Sequence, residues 1–212
     1  IGYQRIALGG MVSLRSNDVL DVISATADVR KSATEFHLLG LTRTEHMSKF
    51  ADGGVTSFDS TSPFRQSFMD DRDNYYTLNS TFVALRVPQT DGNPALRRRI
   101  QAGEVQQQDA VDAEQQCLKT LRSFDAGKVS VDRAVAALRS YETIYDTKGR
   151  DRSASYRRTL EAAPWKSCKC GICQDAGIEV MIFRGAERNK RRGFHNLAVF
   201  KRRLNRTTRP RH

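Results

Sequence analysis

The chain has 212 residues, of which 39% are hydrophobic and 28% charged, and its formal net charge is +11. This composition is typical of one globular domain, or of one domain with a small appendage, and excludes a chain that is disordered throughout. No run approaches the roughly 18 apolar residues that span a bilayer, and residues 1–14 lack the pattern of a secretory signal. We therefore expect no membrane partner and a cytoplasmic location. Because the sequence opens on Ile and leads directly into a strand pattern, we also expect that an N-terminal stretch is missing.

The N-terminal third alternates strand and helix patterns. Residues 3–8, 35–41 and 55–58 predict three strands, and helices are expected from residue 16 to about 27 and from residue 42 to about 51. This order, with its short connections, is typical of parallel βα units. Three strands are too few for a closed barrel, but they fit part of one.

The middle of the chain has helical patterns instead. Residues 96–124 and 131–141 carry apolar side chains at helical spacing, and Ser130 is expected to cap the second of these helices. We interpret this region as a helical insertion. Beyond it, residues 179–183 predict one more buried strand and residues 196–204 a further helix.

Basic residues concentrate at the C-terminal end. From residue 184 onward there are eleven Lys and Arg against one acidic residue, Glu187. Such a block is the electrostatic footprint of a protein that binds a phosphate backbone. We expect residues 206–212 to be a solvated basic tail, and residues 184–192 to contact nucleic acid. The basic residues assigned to these contacts are Arg184, Arg188, Lys190, Arg191 and Arg192.

Three thiols lie close together in the sequence, at Cys168, Cys170 and Cys173. Thiolates at this spacing are suited to wrap one zinc ion, which prefers four ligands in a tetrahedron. Of the four histidines, His195 is the best candidate for the fourth ligand. A disulfide is the alternative, although an odd thiol would remain unpaired. Cys117 is expected to be an ordinary buried thiol. Four protein ligands leave no open position on the metal, so the zinc would be structural.

These motifs resemble those of a known family. Cys-x-Cys-x-x-Cys followed by the His-Asn-Leu step of residues 193–197 resembles the zinc subdomain of tRNA-guanine transglycosylases, in which this histidine is the fourth ligand. Residues 6–11, 37–41 and 54–60 are similar to three strand-end motifs of the same family. Within the superfamily, the long insertion and residues 182–195 look more like the DNA-modifying branch, whose members insert 7-deazaguanine bases into DNA.

The resemblance implies an α/β fold, namely the C-terminal part of a (β/α)8 TIM barrel with a helical insertion and a zinc-binding subdomain. The boundaries that we expect are 1–69 for the partial barrel, 70–165 for the insertion, 166–205 for the zinc subdomain with its basic segment, and 206–212 for the tail. The implied activity is the exchange of guanine for a 7-deazaguanine base in nucleic acid, with DNA favoured over tRNA.

By the same resemblance Asp59 is the nucleophile, since a carboxylate can hold C1′ of the sugar as a covalent ester after the base leaves. It follows a predicted strand, at the end where barrel enzymes place their chemistry. A lone Asp at a strand end is otherwise a turn or capping residue. Gly9 and Gly10 would let the backbone approach the purine edge, Met11 would line the base pocket, and Arg65 would bind a phosphate or form a surface salt bridge.

Two alternatives use the same residues differently. In the first alternative, the chain is a non-catalytic zinc-stapled module that binds nucleic acid. In the second, it is a subunit of a split enzyme whose partner supplies the missing barrel strands. The family's general acid/base aspartate lies on earlier strands and has no counterpart here. A homodimer is also possible, because relatives often pair through the zinc subdomain.

Overall fold

The computed structural model of the protein describes residues 2–69 and 72–207. The chain divides into two compact units. One, here called the strand unit, comprises the residues up to 63 together with those from 199 onward; the other, the helical unit, comprises residues 64–198. Within the described residues, no helix has the length and apolar character needed to cross a membrane. The chain is of the mixed α/β class, with more helix than strand.

The strand unit is built on a parallel sheet of three strands in the order β1 (Arg5–Leu8), β2 (Glu35–Leu38) and β3 (Val55–Phe58). Helix α1 (Ser16–Val29) connects β1 to β2, and a 3-10 turn (Thr44–His46) followed by α2 (Met47–Asp52) connects β2 to β3. The three predicted strands and both helices are therefore confirmed. Strand β2 ends three residues before the pattern does, because Gly40 adopts a left-handed conformation with φ of 72° and turns the chain.

The core of this unit lies between the sheet and its helices. On β2, Phe36 and Leu38 are fully buried while Glu35 and His37 are only partly covered, which is the alternation of a strand with one face against the core. The buried apolar residues that pack together here are Met11, Val19, Ile23, Phe36, Leu38, Leu41, Met47, Phe50 and Val55.

The helical unit consists mainly of helices, with short strands between them. Its elements are α3 (Ser62–Met69), β4 (Tyr75–Tyr76), β5 (Thr81–Phe82), β6 (Leu85–Arg86), α4 (Pro94–Gln101), α5 (Gln107–Asp125), α6 (Val131–Tyr145), α7 (Ser153–Ala162), α8 (Pro164–Ser167), α9 (Gly171–Ala176), a 3-10 turn (Gly177–Val180), β7 (Ile182–Phe183) and α10 (Ala186–Thr207). Helix α3 begins just before this unit, and α10 continues beyond it.

Three features differ from the sequence prediction. The helical pattern of residues 96–124 belongs to two helices, since Gly103, with φ of 75°, follows the end of α4. The run predicted as one strand at 179–183 begins in a 3-10 turn that ends at Val180, and only Ile182–Phe183 pairs with β6, in parallel. The helix predicted at 196–204 begins ten residues earlier, so its N-terminal half includes most of the basic segment. Of the predicted tail at 206–212, only residues 206 and 207 are described, and they belong to α10.

The core of the helical unit forms where α5 and α6 pack together. Ser130 caps α6 as predicted, its hydroxyl accepting a hydrogen bond from the backbone N–H of Arg133. Trp165, fully buried, donates from Nε1 to Asp125 Oδ1 over 2.7 Å, and Asp125 Oδ2 accepts from the backbone N–H of Ile178 over 3.1 Å. Asp125, the last residue of α5, therefore contacts the chain both before and after the cysteine-rich segment. These two contacts fix the position of that segment.

Candidate functional site

The carboxyl ends of β1, β2 and β3 meet at one edge of the sheet. Leu8 is the register partner of Leu38, and Leu38 that of Phe58, so the three strands end side by side. The residues that follow them are Gly9-Gly10, Leu39-Gly40 and Asp59. Parallel α/β proteins place ligands and catalytic groups at this edge.

Asp59 is held at this edge by contacts with the loop that follows β2. Its backbone N–H donates to Leu38 O over 3.1 Å, and its Oδ1 accepts from the backbone N–H of Gly40 over 2.6 Å. The side chain is nevertheless 62% exposed. A carboxylate that is oriented by a backbone donor and still open to solvent is accessible to a substrate.

His37 is a neighbour of Asp59 that the sequence interpretation missed. Its Nε2 lies 3.9 Å from Asp59 Oδ1, and its Nδ1 lies 2.9 Å from Ser57 Oγ. A signal was present in the alternation of β2, since His37 sits between two buried apolar residues and therefore faces away from the core. Ser57 is its register partner, and Asp59 follows Ser57 by two residues, on the same face.

The predicted base-binding residues at the end of β1 separate into two groups. Gly9 and Gly10 are exposed at the sheet edge, and Gly10 has φ of 76°, a conformation that favours glycine even though a Cβ there would meet nothing within 4 Å. Met11, in contrast, is buried in the core of the strand unit. Its side chain packs against the fold, which does not fit the predicted pocket lining.

The predicted metal ligands come together in the helical unit. Atom Nδ1 of His195 lies 3.7, 3.4 and 3.3 Å from the sulfur atoms of Cys168, Cys170 and Cys173 respectively. All four ligand atoms are within 4.8 Å of one another. A tetrahedral zinc with ordinary bond lengths separates a sulfur and a nitrogen ligand by about 3.6 Å. One ring nitrogen cannot satisfy three thiols by hydrogen bonding, but it fits a shared cation at their centre.

The residues around this cluster orient its histidine. Nε2 of His195 lies 2.8 Å from Tyr76 O, which leaves Nδ1 facing the cysteines, and the ring of Tyr75 stacks on the imidazole with centroids 4.0 Å apart. The hydroxyl of Tyr75 lies 3.2 Å from Cys173 Sγ. Asn196 accepts from the Tyr76 N–H and donates to Asn74 O, both over 2.9 Å. Of the two adjacent residues, the histidine faces the cysteines, and the asparagine is hydrogen-bonded to the backbone of β4 and of the residue before it.

The donor set fits a structural zinc site. All four cysteines are free, so the disulfide alternative is excluded, and Cys117 is a buried thiol whose pKa is raised to about 12 by burial. Burial also raises the pKa of Cys173 well above its usual range. Binding of a cation here would displace that thiol proton, since the thiolate is the ligand. His195 lies within α10 rather than at the start of a helix.

The basic segment divides between the interior and the surface. Arg184 pairs with Glu114, and Arg188 forms two bonds of 2.5 and 2.7 Å to Glu179 Oε2. Arg192 is fully buried. The burial and pairing of these three arginines do not fit the predicted contacts with nucleic acid, because their guanidinium groups are engaged within the protein. Lys190, Arg191 and Arg65 are exposed, as the prediction requires.

No family model matches the chain. Over 207 residues it is 41% identical to a protein of Salmonella montevideo that is named DNA-guanine transglycosylase. The match covers 96% of this chain and 50% of that protein. The chain therefore spans about half the length of the curated relative that it matches.

Proposed function

Because the chain belongs to the tRNA-guanine transglycosylase superfamily and matches half of a DNA-guanine transglycosylase, we propose that it contributes to the exchange of guanine in DNA for a 7-deazaguanine base. The observation that carries the proposal is Asp59, exposed at the carboxyl edge of a parallel sheet and oriented by the Gly40 N–H. A capping or turn aspartate would be expected to bond to its own following turn. Asp59 instead bonds across to the neighbouring strand end.

The proposed fold is part of a (β/α)8 barrel with two additions. The three parallel strands and their helices support a partial barrel over residues 1–69, followed by the helical insertion at 70–165, the zinc subdomain at 166–205 and the tail at 206–212. Among the described residues, β1 and β3 each pair on one side only. We assign the missing neighbours to the remaining barrel strands, present either in a longer chain or in a partner. The free thiols favour a reducing compartment, and we place the protein in the cytoplasm.

In the proposed reaction, Asp59 is the nucleophile. Its Oδ2 attacks C1′ of the target nucleotide, so that a C1′–O bond forms while the bond from C1′ to N9 of guanine breaks. The departing guanine takes up one proton. The incoming base loses its N9 proton, attacks C1′ and expels the carboxylate. The Gly40 N–H holds Oδ1, and His37 Nε2 lies 3.9 Å from the same oxygen, which leaves Oδ2 for the attack. We assign the proton transfers to groups on the remaining strands.

Gly9 and Gly10 are proposed to bring the backbone close to the base, and Arg65, Lys190 and Arg191 to bind phosphates. The zinc site has a structural part in this proposal. When bound, the metal would hold the cysteine-rich segment against α10 through four protein ligands, with no position left for substrate.

The test uses the full-length protein and an oligonucleotide containing guanine, with no incoming base, so that the covalent intermediate accumulates. We expect a denaturation-resistant protein–DNA adduct with the native protein and none with Asp59→Asn, together with a loss of exchange of roughly 10³-fold or more. Asp52→Asn, which changes an exposed carboxylate at the end of α2, is the matched control and should retain the adduct.

An adduct that persists in Asp59→Asn would exclude Asp59 as the nucleophile. DNA binding by the native protein without adduct or exchange, equal in both variants, would instead favour the non-catalytic binding module.

A further inference from the structure

Three phenylalanines of the helical unit contact one another, and two of them are exposed while Phe64 is half-buried. Phe64 and Phe68 lie one turn apart on α3 with ring centroids 5.6 Å apart, and Phe194 on α10 lies 5.2 Å from Phe64, both pairs in edge-to-face contact. Phe68 is 36% exposed and Phe194 56%. We call Phe64, Phe68 and Phe194 the aromatic patch. Large apolar rings exposed together on a surface mark an interaction site more often than single ones do.

The patch is held firmly by the packing of α3 on α10. Gly193 permits this packing, because a Cβ there would lie 2.7 Å from Cδ2 of Phe64. Ser67, between the two α3 phenylalanines, donates its hydroxyl to Asn189 O over 2.9 Å. Its carbonyl accepts from the buried guanidinium of Arg192 over 2.5 and 3.0 Å. The rings therefore project from two helices that are fixed to each other by buried polar contacts.

Basic residues adjoin the patch on both helices. Arg65 lies beside Phe64 and one turn before Phe68, while Lys190 and Arg191 lie one turn before Phe194 on the same face of α10. The acidic residue nearest in sequence on these helices is Glu187, which contacts Lys190 over 3.3 Å. Beside the patch, three cations on α3 and α10 stand against one carboxylate. Asp175 lines the same small pocket as Arg191, so the charge beside the patch is positive by a smaller margin than the helices alone suggest.

We propose that the aromatic patch is a stacking platform for an unpaired base of DNA, with Arg65, Lys190 and Arg191 binding the phosphates beside it. Aromatic faces within a basic surface are the features by which proteins bind single strands without reading sequence. The inference rests on the proposed function in one respect. Chemistry at C1′ inside a duplex requires the target nucleotide to leave the stack, and this step exposes unpaired bases. The positive charge beside the patch favours a polyanion over an apolar protein surface as the occupant.

The first experiment measures binding of full-length protein to fluorescein-labelled DNA that is either fully paired or contains an unpaired bubble. Phe194→Leu keeps most of the apolar area but has no aromatic face, whereas Phe194→Tyr keeps the ring. We expect Phe194→Leu to weaken binding to the bubble by roughly 5- to 100-fold. Phe194→Tyr should bind like the native protein, and binding to the fully paired duplex should be nearly equal for all three.

Val22→Ala is the matched control, since it removes an exposed apolar side chain from the face of α1 that carries Asp18. It should leave binding to the bubble unchanged. Zinc content and circular dichroism of each variant identify any loss of folding, and Phe194→Tyr, which keeps the ring against Phe64, separates a folding effect from loss of the aromatic face.

A second experiment places 5-iododeoxyuridine in the bubble and irradiates the complex. Stacking predicts a cross-link on the peptide that contains Phe194. Native-like binding by Phe194→Leu, or a cross-link confined to other peptides, would overturn the proposal. Dissociation of a dimer by Phe194→Asp, with bubble binding unchanged, would identify the patch as a protein interface instead. These readouts need no base exchange, so the platform and the proposed reaction can fail separately.

Discussion

At the scale of single residues, α10 assigns opposite roles to two adjacent arginines. Arg192 is 0% exposed, and its guanidinium donates to Ser67 O, Val180 O and Asn189 Oδ1. Arg191 is exposed. The sequence presents them as identical members of one basic run, and only the rotation of about 100° per residue along a helix separates them. Residue type therefore predicted the positive charge but not which arginines remain at the surface.

Replacing Arg192 by Lys tests this division. An ammonium group lacks the planar fork that reaches several carbonyl groups at once, so buried acceptors lose their partners. We expect Arg192→Lys to lower the free energy of unfolding by about 2–4 kcal/mol, measured by urea denaturation. The paired control is Arg191→Lys, which should stay within about 0.5 kcal/mol of the native protein. Similar losses in both variants would contradict the buried role of Arg192.

At the scale of elements, the C-terminal end of α6 carries a carboxylate that depends on two arginines. Asp146, almost completely buried, accepts from Arg150 and Arg152 and from the backbone N–H of Lys148, each over 2.9 Å. Burial alone would raise the pKa of this carboxyl, but these hydrogen bonds lower it to about 2. A negative charge is otherwise unfavourable at a helix C-terminus.

The lowered pKa of Asp146 predicts that this helix is sensitive to acid. Because its pKa is lower in the folded state than the usual value of 3.8, the carboxylate stabilises the fold above about pH 4, and this contribution is lost as the pH falls toward 2. We expect Asp146→Asn to reduce the free energy of unfolding by about 1–2 kcal/mol at pH 7. The difference from the native protein should shrink toward pH 2. A constant difference across this range would show that packing, not charge, is responsible. Asp91→Asn, at an exposed position in the turn before α4, is the control.

Elements whose apolar residues recur at a regular helical or strand spacing were predictable. Short apolar runs that fit more than one kind of element were not. The apolar spacing of α1, α6 and the strands of the sheet gave their positions to within a few residues. The run at 179–183 was misinterpreted because five mostly apolar residues fit a strand or a buried turn equally well. The contact of Tyr75 and Tyr76 with His195 was not predictable, since no local pattern joins residues about 120 positions apart.

At the scale of the whole molecule, the cysteine cluster joins segments that are distant in sequence. It was predictable because three thiols at short spacing and one histidine are an unusual combination of residue types. The assignment of Asp59 depends on the resemblance to a family, since one carboxylate after a strand has no periodicity to reveal it, and it stays a prediction. The cluster connects the cysteine-rich segment, β4 and α10 through His195 and its contacts.

Removal of zinc tests this connection. Buried cysteines that lose their shared cation leave a polar cavity between these elements, so we expect chelation to lower the melting temperature by roughly 10 °C, measured by scanning calorimetry. Cys173→Ser should bind less than one zinc per chain and melt at the temperature of the chelated protein. Cys117→Ala should retain one zinc and the response to chelator, because Cys117 lies outside the cluster. Equal melting temperatures with and without chelator would exclude a structural metal.

The open sides of β1 and β3 have a practical consequence for handling this chain. Among the described residues each of these strands has a strand neighbour on one side only, and an edge strand can pair with another chain, which promotes aggregation. The edges carry limited protection, for example the charged pair of Arg5 with Glu35 at the start of the sheet. We expect the chain by itself to precipitate at high concentration, and co-expression with the barrel strands that we propose as neighbours of β1 and β3 to give a soluble sample.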